Sequence, residues 1–219
     1  MFKHRQDAGR QLAERLMHRR GQDPVVFGLP RGGVVVAAEV AEALRSPLDV
    51  LVVRKLGAPR QPELAIGAVT DGDQPQRILN EALIRRLAVD QSYIDAQIAI
   101  QLDEVRRCQR LYRRGRPPVG VRGRTVIVVD DGIATGATVR AGIAGLRRSE
   151  PRHLVLAVPV APPETVESLR GEVDELVCLH TPASFTAVGA FYLDFRQTSD
   201  EEVVALLEHT AGPTEKAES

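Results

Sequence analysis

The residues richest in chemistry lie at Thr125–Thr138, reading TVIVVDDGIATGAT. An apolar run, Val126–Val129, delivers two adjacent carboxylates, Asp130 and Asp131, to a loop of small and hydroxyl-bearing residues. Gly132 and Gly136 allow backbone amides to come close to a ligand. Thr135 and Thr138 add hydroxyl donors, and a helix starting near Ala137 points the positive end of its dipole at the same place. Ile133, Ala134 and Ala137 complete a cradle suited to a phosphate monoester. Carboxylates at the carboxyl end of a strand stand where open α/β sheets bind ligands. There they can accept hydrogen bonds from ribose hydroxyls or organise a magnesium ion (Mg2+). No Gly-Lys-Ser/Thr follows, so the loop is not a Walker A motif.

Two other stretches are suited to phosphates. Gly28–Gly33, GLPRGG, follows an apolar run and opens a helix. The amides of Arg31, Gly32 and Gly33, with the Arg31 guanidinium, suit a diphosphate. Arg54–Arg60, RKLGAPR, follows a second apolar run, and its adjacent cations Arg54 and Lys55 can neutralise a departing diphosphate. The five histidines, His4, His18, His153, His180 and His209, lack metal-ligand spacing. Cys108 and Cys178 make no disulfide framework, and Cys178 reads as a small core residue.

The elements that must position these residues show in the hydrophobic pattern. Five short continuous apolar runs, Pro24–Gly28, Leu48–Val53, Thr125–Asp130, His153–Val158 and Glu175–Leu179, predict strands covered on both faces. Helical stretches at Gly33–Arg45, Ala137–Ser149 and Pro163–Arg170 alternate with them, which predicts a parallel α/β sheet. His4–Arg20 reads as an amphipathic helix. Ile66–Leu79, with Asp71-Gly72 at its centre, reads as a hairpin. Asn80–Arg114 carries apolar residues at helical spacing and breaks the alternation like an insertion. Ser199 and Glu202 form a capping-box pattern ahead of Val203, Leu206 and Leu207. Ala211–Ser219 reads as a disordered tail.

Composition bounds the rest. The 219 residues carry 29 basic and 29 acidic side chains, so no net field draws the chain to nucleic acid or membrane. One local exception is the cluster Arg106, Arg107, Arg110, Arg113, Arg114 and Arg116, which on one helix could track a nucleic-acid backbone. Asp103 and Glu104 beside it, and the absence of a recognised DNA-binding module, argue for a solvated face instead. No run is long enough to span a bilayer, and the charged N-terminus lacks a signal peptide's apolar stretch, so a cytoplasmic location is expected.

The segment Val128–Thr138 resembles the diphosphate-sugar binding motif of type I phosphoribosyltransferases. With the strand order around it, the resemblance covers roughly residues 24 to 195. It implies a Rossmann-like parallel β-sheet flanked by helices, in one unit over 1–210. A helical insertion would lie at about 80–115 and a small C-terminal hood at about 181–197. It makes Asp130 and Asp131 the holders of the ribose 2′- and 3′-hydroxyls, and through the bound donor of magnesium. The loop Gly132–Thr138 takes the 5′-phosphate, and Arg31, Gly32 and Gly33 resemble the pyrophosphate loop. The region Ala58–Glu63 resembles the family's mobile active-site loop, with Arg54 and Lys55 at the leaving group. The implied reaction moves a phosphoribosyl group from 5-phosphoribosyl 1-diphosphate to a nitrogenous base or amine, releasing diphosphate, as in nucleotide metabolism.

Members that act on 6-oxopurines usually carry Asp directly before the Thr-Gly; Ala134 stands there in this chain. That resembles the adenine-type pattern without establishing adenine. Phe185, Phe191 and Tyr192 in the hood could stack a heterocycle or pin the loop to the core. The string Ala187–Glu202 resembles a group of phosphoribosyltransferases with no settled acceptor. The resemblance also admits a non-catalytic regulator that binds the donor, with or without nucleic acid, and leaves a homo-oligomer open.

Overall fold

The computed structural model describes residues 1–71 and 76–210. Five strands, β1 (Pro24–Gly28), β2 (Leu48–Val50), β6 (Thr125–Val129), β7 (His153–Val160) and β8 (Glu175–His180), form one parallel sheet in the order β2-β1-β6-β7-β8. Every residue of β1 and β6 is buried, as their unbroken apolar runs predict. Helices α1 (Arg5–Leu16), α2 (Gly32–Leu44), α5 (Ala137–Arg147) and α6 (Pro163–Arg170) supply the covering faces, with α7 (Asp200–Thr210) packed on α2. α2 forms despite Val34, Val35 and Val36, because burial of all three outweighs their weak helix propensity. α1 lies close against it at Gly9, where a Cβ would sit 2.8 Å from the Val36 carbonyl oxygen.

The chain steps from β1 outward to β2 and later returns to lay β6 on the other side of β1. The carboxyl ends of β1 and β6 therefore meet at the switch point of the sheet, where doubly wound folds bind ligands.

Between β2 and β6 the structure departs from the sequence reading. The second core strand stops at Val50, and Val53 starts a separate strand. That strand, β3 (Val53–Ala58), pairs antiparallel with β4 (Gln61–Thr70), which pairs with β5 (Gln76–Leu79) in a second, three-stranded sheet. Arg54–Arg60 thus lies in the first strand of a hairpin and its tight turn rather than directly at the end of a core strand. The expected β4–β5 hairpin is present, but its residues 72–75 lie outside the described ones, as does the tail 211–219. Asp71, which opens the connection, is buried, its backbone amide donating to the Val52 carbonyl oxygen. The helical insertion divides into α3 (Glu81–Arg86) and the 23-residue α4 (Gln91–Arg113), broken where Ala88 takes φ 49°. Cys178 is half-buried rather than a full core residue.

Arg113, at the last turn of α4, anchors this excursion. Its guanidinium donates to Asp49 (2.9 Å), to Asp71 (2.8 Å) and to the Val50 carbonyl oxygen (3.1 Å). All three charged side chains are at most 6% exposed. The spare oxygens accept from the amides of Val50, Val52 and Val119. Each buried charge is both paired and hydrogen-bonded, the condition under which such a group is tolerated.

Replacing Arg113 with Met should lower stability by about 3–5 kcal/mol, because two carboxylates stay buried without their cation. Urea denaturation reads the loss. Adding Asp71→Asn should recover part of it, and strict additivity of the two changes would contradict the shared network.

Candidate functional site

The tips of β1 and β6 form the site. Gly28 ends β1, and the chain passes through Leu29 and Pro30, across a cis Pro30–Arg31 peptide, into α2. Gly33 lies against the Asp130 backbone, so a Cβ there would meet Asp130 Cα at 2.9 Å. Gly32 is tighter still: a Cβ would fall 1.9 Å from Asp131 Oδ2 and 2.6 Å from Arg5 Nε. The two glycines are what let the Gly28–Gly33 loop and the carboxylate pair share one point.

Asp130 and Asp131 follow β6 directly. Asp130 Oδ1 accepts from the Asp131 amide at 2.9 Å. Burial, and then the neighbouring Asp131, push Asp130 well above the usual carboxylate range. Burial also raises Asp131, opposed by Arg5. The Arg5 Nε donates to Asp131 Oδ2 at 2.7 Å, with the two side chains 10% and 15% exposed. Arg5 is fixed in turn by the Arg196 carbonyl oxygen (2.7 Å) and by the Phe195 ring, 3.9 Å from its guanidinium carbon.

Past the carboxylates, the Ile133 amide donates to the Val160 carbonyl oxygen, and Thr165 Oγ1 donates to that of Ala134. These bonds fix the loop without using its remaining amides. Gly136 has φ 76°, a left-handed turn that glycine supplies cheaply, and it caps α5. The first-turn amides of α5, at Ala137, Thr138 and Val139, have no intrahelical partner and face the loop. Ala134 and Thr135 are exposed.

Beside this cradle lies a cavity of about 390 Å³. Arg31, Arg54, Arg107, Tyr112, Thr138 and Asp200 are among its walls; Asp130, Asp131 and Lys55 are not. Arg54 donates to Glu104 at 2.9 Å and to Cys108 Sγ at 3.1 Å. Lys55, next along β3, is exposed.

The segment 181–197 folds over Asp131. Val188 blocks any Cβ at Gly132, at 2.5 Å. Phe185 and Phe191 stack on each other, centroids 5.5 Å apart. Tyr192 is buried against Phe2, and its hydroxyl donates to the Asp131 carbonyl oxygen at 2.5 Å. That hydroxyl is pushed up by burial, so it stays a donor. Tyr192 therefore braces the carboxylate strand, a place distinct from an open stacking face.

The sequence reading passed over Arg5 and Tyr192's hydroxyl, and it took Arg107 only as one member of the arginine cluster. Arg5 sits 126 residues from Asp131 in an ordinary amphipathic helix, so no local signal marks it. The arginine cluster is divided: Arg113 is buried and Arg116 half-buried, donating to the Leu207 carbonyl oxygen, while Arg106, Arg107, Arg110 and Arg114 are exposed, Arg107 paired with Glu104 and Arg114 with Glu208.

Gly32→Ala should force the Arg5–Asp131 contact apart and lower stability by about 1–3 kcal/mol. Gly120→Ala, where a Cβ meets nothing within 4 Å, is the control and should stay within about 0.5 kcal/mol. Thermal denaturation of the two variants decides; equal melting would mean that the close approach is absent.

Comparison with known proteins agrees with this geometry. The family model described as the phosphoribosyl transferase domain matches residues 3–196. A protein of Mycobacterium tuberculosis, named provisionally as a phosphoribosyl transferase, is 51% identical over 208 residues, or 95% of this chain. The chain spans about half (46%) of that curated relative's length. A crystal structure from Thermus thermophilus superposes with a TM-score of 0.86 at 48% identity, covering 97% of this chain and 100% of that one. A structure from Aquifex aeolicus, at 11% identity and TM-score 0.50, covers 84% of this chain and 78% of its own and shares the fold alone. The chain belongs to the phosphoribosyl transferase domain family, with the α/β fold of the type I phosphoribosyltransferases.

Proposed function

We propose that the chain transfers the 5-phosphoribosyl group of 5-phosphoribosyl 1-diphosphate to a nitrogenous base or amine, releasing diphosphate. The observation that carries this reading is the contact between Gly32–Gly33 and Asp130–Asp131 at the switch point. It supports the reading because a glycine loop suited to diphosphate and a carboxylate pair would then lie within one donor molecule's reach. Asp130 and Asp131 would accept the ribose hydroxyls. The free amides of the 132–138 loop and the start of α5 would take the 5′-phosphate. Arg31 and Arg54, on the cavity wall, would stabilise charge as the diphosphate leaves. Lys55, exposed on the β3–β4 hairpin, would reach the same group if that hairpin closes on the donor.

Magnesium fits this donor set as a hard cation held by oxygen. Among the described residues no cluster of three or more His, Cys, Asp or Glu gathers to hold a metal. The ion would be held through donor oxygens, where it supplies Lewis-acid polarisation. Residues 1–210 would act as one unit, with 181–197 as the hood that shields the reacting carbon from water. Ala134 in place of a carboxylate favours an acceptor other than a 6-oxopurine, and Phe185 and Phe191 are the candidate base-facing rings. A donor-sensing regulator would share the donor pocket, but of its arginine cluster Arg113 is buried, and Arg106, Arg107 and Arg114 are already paired with Asp103, Glu104 and Glu208.

Asp130→Asn combined with Asp131→Asn should abolish donor binding while leaving the fold intact. Calorimetry with donor and magnesium tests this, and a folded double variant with unchanged affinity would overturn the assignment. Acidification should weaken donor binding to the native chain, since Asp130 is raised and loses its charge first as pH falls. A titration series over about pH 5 to 8 checks the direction. Diphosphate release from the donor, measured against a panel of bases and amines, separates transferase from sensor.

A further inference from the structure

The cavity beside the cradle is lined in part by a segment that the donor-binding motifs do not include. α4 brings Arg107, Cys108 and Tyr112 to its wall, opposite Arg31 and Thr138. Glu104, one turn before Arg107, bridges two guanidiniums. Its Oε1 accepts from Arg54 Nη2 at 2.9 Å and from Arg107 Nη2 at 2.9 Å, and its Oε2 accepts from Arg107 Nε at 2.8 Å. An Arg–Glu pair one turn apart on a helix is ordinary and contributes little. Here Arg54 joins it from a separate sheet, 50 residues away, and both guanidiniums stand at a cavity.

We propose that Glu104 is an internal stand-in for the donor's diphosphate: it holds Arg54 and Arg107 in the ligand-free site, an incoming diphosphate displaces it, and Arg107 of the helical insertion then grips the leaving group beside Arg31 and Arg54. This rests on the donor reading above and adds a residue and an exchange to it.

Four observations support the exchange. Arg107 holds Glu104 in a two-pronged, planar fashion, the arrangement with which guanidinium also holds phosphate. Arg54 and Arg107 are 38% and 55% exposed, so a solute anion can reach them. Arg54 Nε is buried without a hydrogen-bond partner, a donor left over by the carboxylate. Arg31 lies 3.9 Å from Asp200, beyond hydrogen-bond length, while Asp200 already accepts from the Tyr112 hydroxyl at 2.7 Å. Three guanidiniums thus face the cavity against two carboxylates, which favours an anion there. A metal ion at Glu104 is disfavoured because both its oxygens already accept from arginine. Glu104 is drawn down to about 2 by the Arg107 hydrogen bond, so it remains charged and gives way only to a competing anion.

Inorganic diphosphate with magnesium, titrated calorimetrically into the full chain, is the test. Arg107→Gln should weaken binding about tenfold or more, the loss of charge-assisted hydrogen bonds. Glu104→Gln should strengthen it about fivefold, the scale of one partly screened ion pair. Arg106→Gln, whose partner Asp103 is exposed, should leave it unchanged. The opposite signs matter, because structural damage alone cannot raise affinity. If the native chain binds donor and diphosphate but both variants match it, this exchange is wrong and the donor reading stands. If the native chain binds neither, both fall. Weaker binding in Glu104→Gln would make Glu104 a support for the arginines and would also overturn the stand-in.

Discussion

Two carboxylates on successive residues at the tip of a buried strand repel each other and resist burial, and the rest of the site is arranged around that conflict. Asp130 answers it by burial with its proton held more tightly and by accepting the Asp131 amide. Asp131 answers it with Arg5, one of the first residues of the chain. The arrangement explains otherwise unrelated features. Phe2 bridges to Tyr192, Phe195 lies under the Arg5 guanidinium, and the Tyr192 hydroxyl holds the Asp131 carbonyl oxygen. The N-terminal helix and the segment 181–197 are tied together through the same aspartate.

The second sheet and the long α4 form a separate arm, and its attachment obeys the same electrostatics. Arg113 closes α4 onto the end of β2 by satisfying two buried carboxylates. Asp71 belongs to the end of β4 and Asp49 to β2, so one guanidinium sets the arm's position against the main sheet. That position decides which face of α4 meets the cavity: Cys108, Tyr112 and Arg107 lie on its wall. A buried pair of this kind is a weak source of net stability but a strong source of register, and register is what a cavity wall requires.

Much of this was legible in the sequence. The five parallel strands read out because each lies in a short, mostly apolar run set between helical stretches. The carboxylate loop read out because Asp-Asp, two glycines and two threonines occur together in a few consecutive residues. The capping box at Ser199 and Glu202 forms as expected, with reciprocal bonds of 2.8 and 3.2 Å. The β3–β4 hairpin did not read out: Leu51 and Val52 continue the apolar run of β2, so the break after Val50 has no local marker. Asp71-Gly72 resembled a turn, yet Asp71's partner, Arg113, lies 42 residues on. Arg5 was hidden for the same reason, and Arg107 stood out only as one member of an arginine cluster. Their roles come from partners or cavities assembled by the fold, and composition treats them as two arginines among many.

These long-range pairs share a pattern that local sequence cannot encode. Each principal cation near the site faces a protein carboxylate: Arg5 faces Asp131, Arg54 and Arg107 face Glu104, and Arg31 faces Asp200. A site built for a highly charged anion would otherwise hold several guanidiniums close together, and their mutual repulsion would open it. Internal carboxylates relieve that repulsion and keep the side chains extended toward the cavity. The arrangement also sets a cost on every anion that enters, since it must replace contacts already made. On the exchange proposed above, a small monovalent anion would gain too little to displace the carboxylates, whereas a diphosphate engaging several guanidiniums at once would do so.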